Sequence, residues 1–133
     1  MRTKAWDWDR LSEGDRASWD APAGAVVEFA YRLKREAKRK VYDLGCGLGR
    51  HLLFFAQMGF DVCGSDLSDR AVEEARKRLA AACLPGCIKH GDMVKIEESD
   101  DSFDAVIVYN VVYHAYPEGM RTTIKEIHRI LKG

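Results

Sequence analysis

The sequence predicts an α/β fold: a mainly parallel sheet with helices on both faces. Two observations carry this. From residue 25 onward, short apolar stretches alternate with segments of helical period, and a glycine-rich turn, DLGCGLG at Asp43 to Gly49, separates the first such stretch from the helix after it. Strands joined by helices of this length pair in parallel through right-handed crossovers.

The elements follow in order. Val26, Val27, Phe29, Ala30, Leu33 and Ala37 recur at helical spacing, and the basic run KREAKRK lies at that helix's partially negative C-terminal end. Strands are expected over 40–44, 60–65, 87–90 and 103–109, with helices over 50–58, 69–83 and 120–131. Gly59 stops the helix that follows the glycine turn. Ser68 is the N-cap of the next one, with Asp69 in its first turn and Val72, Ala75, Leu79 and Cys83 along one face. The last strand, with DAVIVYNVV at its centre, is a continuous apolar run, as expected of a strand covered on both sides.

With 133 residues, one domain is expected, spanning 25–133, preceded by an arm or lid over 1–24 that holds Trp6, Trp8 and Trp19. Basic and acidic residues are equal, 21 of each, so no global field recruits nucleic acid or an anionic membrane; a small-molecule partner is expected. There is no apolar run long enough to span a membrane and no signal-peptide pattern, and a cytoplasmic location follows. The four cysteines (Cys46, Cys63, Cys83, Cys87) show no paired C-x-x-C spacing and read as reduced thiols. No metal site is expected; the nearest approach to one is the pair Cys83 and Cys87.

A strand, a glycine turn and a helix whose free N–H groups face the turn make a seat for an anion or a nucleotide-like cofactor. The dinucleotide fingerprint G-x-G-x-x-G fails here, since Arg50 stands at its third glycine when Gly45 opens it and Leu52 when Gly47 does. A phosphate-binding G-x-x-x-x-G-K-[ST] is also absent. Asp43 adds a physical objection, because a carboxylate at the strand end repels a diphosphate and suits a ligand bearing an ammonium or sulfonium. S-adenosylmethionine carries both.

The stretch Asp43-Leu-Gly-Cys-Gly-Leu-Gly49 resembles the D/E-x-G-x-G-x-G motif of class I S-adenosylmethionine-dependent methyltransferases, and the likeness runs from about residue 25 to the end of the chain. GSDLS follows with Asp66 placed 23 positions beyond Asp43, then HGDM with Asp92 and Met93, then FDAVIVYNVVYHAY with Asn110. The resemblance implies a Rossmann-like three-layer α/β/α sandwich with strand order 3-2-1-4, truncated before a fifth strand. It implies a cofactor site of Asp43, Gly45, Cys46, Gly47 and Gly49 at the methionine end. Asp66 would hold the ribose, Leu67 pack on the adenine, Asp92 and Met93 meet the adenine edge, and Asn110 hold the amino group. S-adenosyl-L-homocysteine would be the product. His114, in the loop after the fourth strand, is the candidate general base, and Arg50 and His51 are placed to touch the methionine carboxylate.

Strand four would be left as an open edge, so a homodimer through that edge is expected. Two other functions share a glycine turn of this kind: a catalytically silent module that binds S-adenosylmethionine or assembles with another chain, and an NAD(P)-dependent oxidoreductase, which Arg50 and Asp43 disfavour.

Overall fold

The computed structural model describes residues 21–109 and 117–133. The expected arm with its three tryptophans, and the candidates Asn110 and His114, lie outside these residues. The described residues form four helices and four strands, alternating except that β4 follows β3 with no helix between: α1 (Gly24–Arg35), β1 (Lys40–Leu44), α2 (Arg50–Gln57), β2 (Asp61–Asp66), α3 (Asp69–Ala81), β3 (Cys87–His90), β4 (Ala105–Ile107) and α4 (Pro117–Ile130). The strands form one parallel sheet in the order β3-β2-β1-β4, as expected.

The period of two along β1 divides the core. Val41 faces one side with Val62, Ile88, Ala105 and Ile107, where they meet Val26, Ala30 and Leu33 of α1, Leu52 and Phe55 of α2, and Val72, Ala75 and Leu79 of α3. Tyr42 and Leu44 face the other side and pack with Met93, Ile96, Phe103 and Ile130. Three helices therefore cover one face, and α4 with the loop before β4 covers the other. Register makes this choice firm, since a slip of one residue would turn Tyr42 and Leu44 out of their own cluster. The Tyr42 hydroxyl keeps a partner in that cluster, 2.7 Å from the Ser65 hydroxyl.

Helix ends follow local chemistry. The Ser68 side chain accepts from the Ala71 N–H at 3.2 Å and caps α3, as the sequence predicts. After α2, Gly59 takes φ +90°, its N–H donates to Ala56 and that of Phe60 donates to Phe55. This is a Schellman stop, completed by the ring contact of Phe55 with Phe60 at 5.2 Å. The same double bond pattern ends α1 at Ala37 (φ +57°) and α3 at Cys83 (φ +55°), both without a glycine.

Those two stops correct the expected boundaries. The chain turns left-handed at Ala37 and Cys83, so Ala37 leaves the buried stripe of α1. Helix α3 closes at Ala81, and Cys83 is exposed instead of sharing the face of Val72, Ala75 and Leu79. Strand β4 is shorter than 103–109: just before it Asp104 caps the opening of β1, its carboxylate accepting from the N–H groups of Arg39 and Lys40 at 2.9 Å each while its own N–H donates to the Lys40 carbonyl at 2.8 Å. Phe103 meanwhile forms an isolated parallel bridge with Leu131. The last helix opens at Pro117, three residues before the expected start, consistent with proline's tolerance for the first helical turn.

Candidate functional site

The site is built at the carboxyl ends of β1 and β2, where open parallel sheets place their ligands. Gly45, Gly47 and Gly49 all adopt left-handed backbone, with φ of +71°, +55° and +89°. An L side chain is strained there, so the alternation of glycines follows from the path of the turn. Gly49 has a second reason: a Cβ on it would stand 2.8 Å from the Cβ of Ala75, so its absence lets α2 and α3 approach closely. Gly64 is constrained in the same way, by the Asp43 carbonyl at 2.9 Å and the Leu52 side chain at 3.1 Å from a built Cβ. That requirement is invisible without the sheet register, which places Gly64 opposite Asp43.

Gly49 is the N-cap of α2, and no side chain caps that helix. The first N–H groups of α2 and its partial positive charge therefore face the turn. Asp66, at the end of β2, ties the turn in place. Its Oδ2 accepts from the Gly47 N–H and its Oδ1 from the Ser68 N–H, each at 2.9 Å. A carboxylate has about four acceptor sites, so one such group can serve several donors at once.

Asp43 is buried, at 4% exposure, and its Oδ2 has no hydrogen-bond partner among the described residues. Burial first, and the nearby Asp66 charge second, push its carboxyl up to about 8, against a smaller downward pull from Arg50. A buried acid with one unpartnered oxygen is costly unless something charged or hydrogen-bonding completes it. Beside it, burial also pushes the Cys46 thiol up, so this sulfur is a packed apolar group rather than a nucleophile.

Arg50 and His51, expected at the methionine carboxylate, also hold the segment before α1. His51 is buried, its Nε2 accepts from the Ala23 N–H at 3.1 Å, and its ring meets Tyr109 edge-on at 5.4 Å. Burial and the neighbouring Arg50 push the imidazole down to about 4, so it stays neutral with its proton on Nδ1. Arg50 donates to the Ala21 carbonyl at 3.1 Å and lies over the Tyr109 ring. Together they fasten the segment before α1 beside the glycine turn.

The other expected residues fall along the same edge. Leu67 follows Asp66, and its carbonyl is 2.7 Å from His90 Nε2. Asp92 forms a turn over Val94, accepting its N–H at 3.2 Å, and the Met93 side chain is buried in the second core cluster. The described structure thus gathers Asp43, Gly45, Cys46, Gly47, Gly49, Asp66 and Leu67 around the ends of β1 and β2, with Asp92 and Met93 in the loop after β3.

One group escaped sequence reasoning. Cys63 and Cys87 are directly paired across β2 and β3, and with Glu98 they bring three metal-ligating atoms within 4.8 Å of one another. Burial, then Cys87 and Glu98, push the Cys63 thiol up to about 12. Only the parallel register reveals this pair, because 63 and 87 are far apart in sequence. The sequence had instead set Cys87 beside Cys83, which lies exposed at the end of α3.

Comparison with known proteins agrees with this architecture. The YqeM protein of Bacillus subtilis is 31% identical over 97 residues, which is 71% of this chain and 39% of YqeM. The structure of PH0226 from Pyrococcus horikoshii superposes with a TM-score of 0.74 at 30% identity, over 91% of this chain and 55% of the other. Magnesium protoporphyrin IX methyltransferase of Synechocystis, solved with bound S-adenosylmethionine, gives 0.69 at 25% identity, over 80% of this chain and 53% of that one. The chain spans about half the length of these proteins or less. No helix among the described residues is long and apolar enough to cross a membrane. Residues 41–133, from the first strand of the sheet onward, match the model of the methyltransferase domain, and the chain belongs to that family.

Proposed function

We propose that this chain is the cofactor-binding half of an S-adenosylmethionine-dependent methyltransferase acting on a small molecule. The observation that carries the reading is the unpartnered Asp43 Oδ2, buried at the mouth of a turn of three left-handed glycines. Family membership and a relative solved with this cofactor support it, and they set aside a nicotinamide-dependent oxidoreductase.

The residues present fit such a ligand. Asp43 offers a carboxylate to a cationic group, and the uncapped start of α2 offers N–H groups to an anionic one, so the two ends of an amino-acid moiety find opposite charges a short distance apart. Asp66 would accept from ribose hydroxyls while keeping its hold on Gly47 and Ser68, and Leu67 would pack on the base. The polar groups of Asp92 and the backbone of Met93 would meet the adenine edge, Asn110 the amino group. When bound, the cofactor supplies an electrophilic methyl group on a sulfonium. The protein's task is then to hold an acceptor in line and exclude water, with His114 as the candidate base. The equal numbers of acidic and basic residues favour a small acceptor over nucleic acid. Its four free cysteines fit a cytoplasmic setting.

We assign residues 25–133 to this cofactor domain and 1–24 to an arm, which Arg50 and His51 anchor at Ala21 and Ala23. We also propose self-association through the β4 edge, which pairs on one side with β1. Light scattering at high concentration that shows only monomer overturns this. The main reading is tested by titrating the chain with S-adenosylhomocysteine in a calorimeter beside Asp66→Ala. Saturable binding lost in the variant supports it; a folded wild-type chain that binds nothing overturns it, and leaves a module that needs a further chain to complete the site.

A further inference from the structure

The geometry points to a zinc-binding site made by the Cys63 and Cys87 thiolates and the Glu98 carboxylate, on the face of the sheet opposite α1, α2 and α3. Among the described residues, this is the group of three or more metal-ligating side chains whose donor atoms come together, within 4.8 Å of one another.

The arrangement follows from the fold. Cys63 and Cys87 are partners in the parallel register of β2 and β3, so their side chains leave the sheet on the same side. Both are half-buried, which leaves a path for an ion. The loop after β3 returns over that face, where Ile96 is buried against Tyr42 and Phe103, and this delivers Glu98 to the two sulfurs. The loop is held independently: the Ile96 N–H donates to Glu126 at 2.9 Å and Arg129 donates to the carbonyls of Ile96 and Glu98 at 2.7 Å each. The third donor is therefore preset rather than recruited from a loose segment.

Distance and donor chemistry select the occupant. A tetrahedral zinc with Zn–S bonds of about 2.3 Å sets its sulfurs about 3.7 Å apart, inside the 4.8 Å within which the three donor atoms lie here. Thiolates favour zinc over magnesium or calcium. Lys89 lies 3.2 Å from Glu98 Oε1 and donates to the Glu97 carbonyl; a carboxylate has lone pairs for a second partner. With two thiolates, one carboxylate and this ammonium, a divalent ion leaves the cluster without net charge. Three protein donors leave a fourth position to water. Each thiol gives its proton to solvent as the ion binds. The ion would staple β2, β3 and the loop before β4 together.

The full chain, reduced and metal-free, is titrated with Co²⁺ while thiolate-to-metal absorption is followed, then with Zn²⁺ against a chromophoric chelator. One ion per chain with a thiolate band is expected. Cys87→Ser and Cys63→Ser should abolish the band, and Glu98→Gln should weaken zinc by more than about 10-fold, the lower end of what losing even an outer partner costs. Cys83→Ser should change nothing. Cys87→Ser and Glu98→Gln alter partly exposed side chains, and circular dichroism confirms that they fold. The proposal is overturned by a folded chain that gives no band, by a band that survives Cys87→Ser or requires Cys83, by unchanged zinc affinity in Glu98→Gln, or by a mass two hydrogens lighter that shows a Cys63–Cys87 disulfide instead.

Discussion

Asp43→Asn should make the chain more stable at neutral pH while weakening its hold on the cofactor. The wild-type carboxyl rises from 3.8 to about 8 on folding because it is buried with an unpartnered oxygen and faces Asp66. Between those two values the unfolded chain ionises this group and the folded chain does not, so the native state binds more protons and its stability falls as pH rises. The slope is about 1.4 kcal/mol per pH unit, which accumulates to roughly 4 kcal/mol by pH 7 and levels off above about pH 8. The amide escapes this penalty but puts an N–H₂ group where the buried oxygen has no partner, at a cost of about 1–3 kcal/mol. The two effects cross near about pH 5–6: below it the variant is the weaker protein, and at pH 7 it is stronger by on the order of 1–3 kcal/mol. Urea unfolding of both proteins from pH 4.5 to 8 reads this directly. A difference that stays constant across the range, or a variant that is less stable at pH 7.5, refutes the burial argument. Calorimetry of S-adenosylhomocysteine in buffers of different ionisation enthalpy should show a proton released on binding at pH 7 by wild type and none by the variant.

Other substitutions follow from the same geometry. Gly49→Ala places a methyl against Ala75 at left-handed φ, and a loss of about 2–5 kcal/mol is expected by denaturant unfolding, the sum of backbone strain and overpacking. Ala37→Gly and Cys83→Gly relieve left-handed backbone at two Schellman stops and should each raise the unfolding free energy by about 1 kcal/mol, a gain that hydrogen exchange would localise to the ends of α1 and α3. Asp104 is held down to about 2, first by the N–H groups of Lys40 and Arg39 and then by Lys132. Its contribution is present above 3.8 and is lost as pH falls toward 2. Asp104→Ala should therefore destabilise at pH 7 by about 1–3 kcal/mol, the usual worth of hydrogen bonds to a charged group, and matter little at pH 2, as acid unfolding curves would show.

Much of this fold could be read from the chain because its signals are local and agree with one another. Val72, Ala75 and Leu79 mark one face of α3 and Ser68 its start, and each reads the same way in sequence and in structure. The boundaries that moved did so for tertiary reasons. Asp104 leaves the apolar run of β4 to serve β1, and a period count over 103–109 has no means of sensing that. The glycine turn and Asp66 were legible because backbone conformation and charge impose narrow residue choices. The bonds of Arg50 and His51 to Ala21 and Ala23 were not legible, because these partners are reached only through the packing of the segment before α1. Gly64, and the pairing of Cys63 with Cys87, depend on strand register, which is a property of two segments at once.

Left-handed residues show how structure and function divide the cost of this fold. Ala37 and Cys83 hold the same backbone region as Gly45, Gly47 and Gly49, yet the latter three form the turn at the sheet's ligand-binding edge, and at Gly49 a Cβ would also stand 2.8 Å from Ala75. At the helix stops a Cβ is merely strained, so alanine and cysteine are tolerated at a cost of about 1–2 kcal/mol. At the turn, on the proposed cofactor reading, the same Cβ would exclude a ligand as well as distort the chain, and glycine would be required on both counts. Asp43 obeys this logic with the opposite sign, being the residue there that stability alone would remove. A deep substitution scan should therefore separate the two groups: selection for folding should accept glycine at 37 and 83 and replacement at 43, whereas selection for cofactor binding should hold Asp43 and the three glycines. If folding selection holds Asp43 as tightly as it holds Gly49, the acid is structural and the cofactor reading loses its main support.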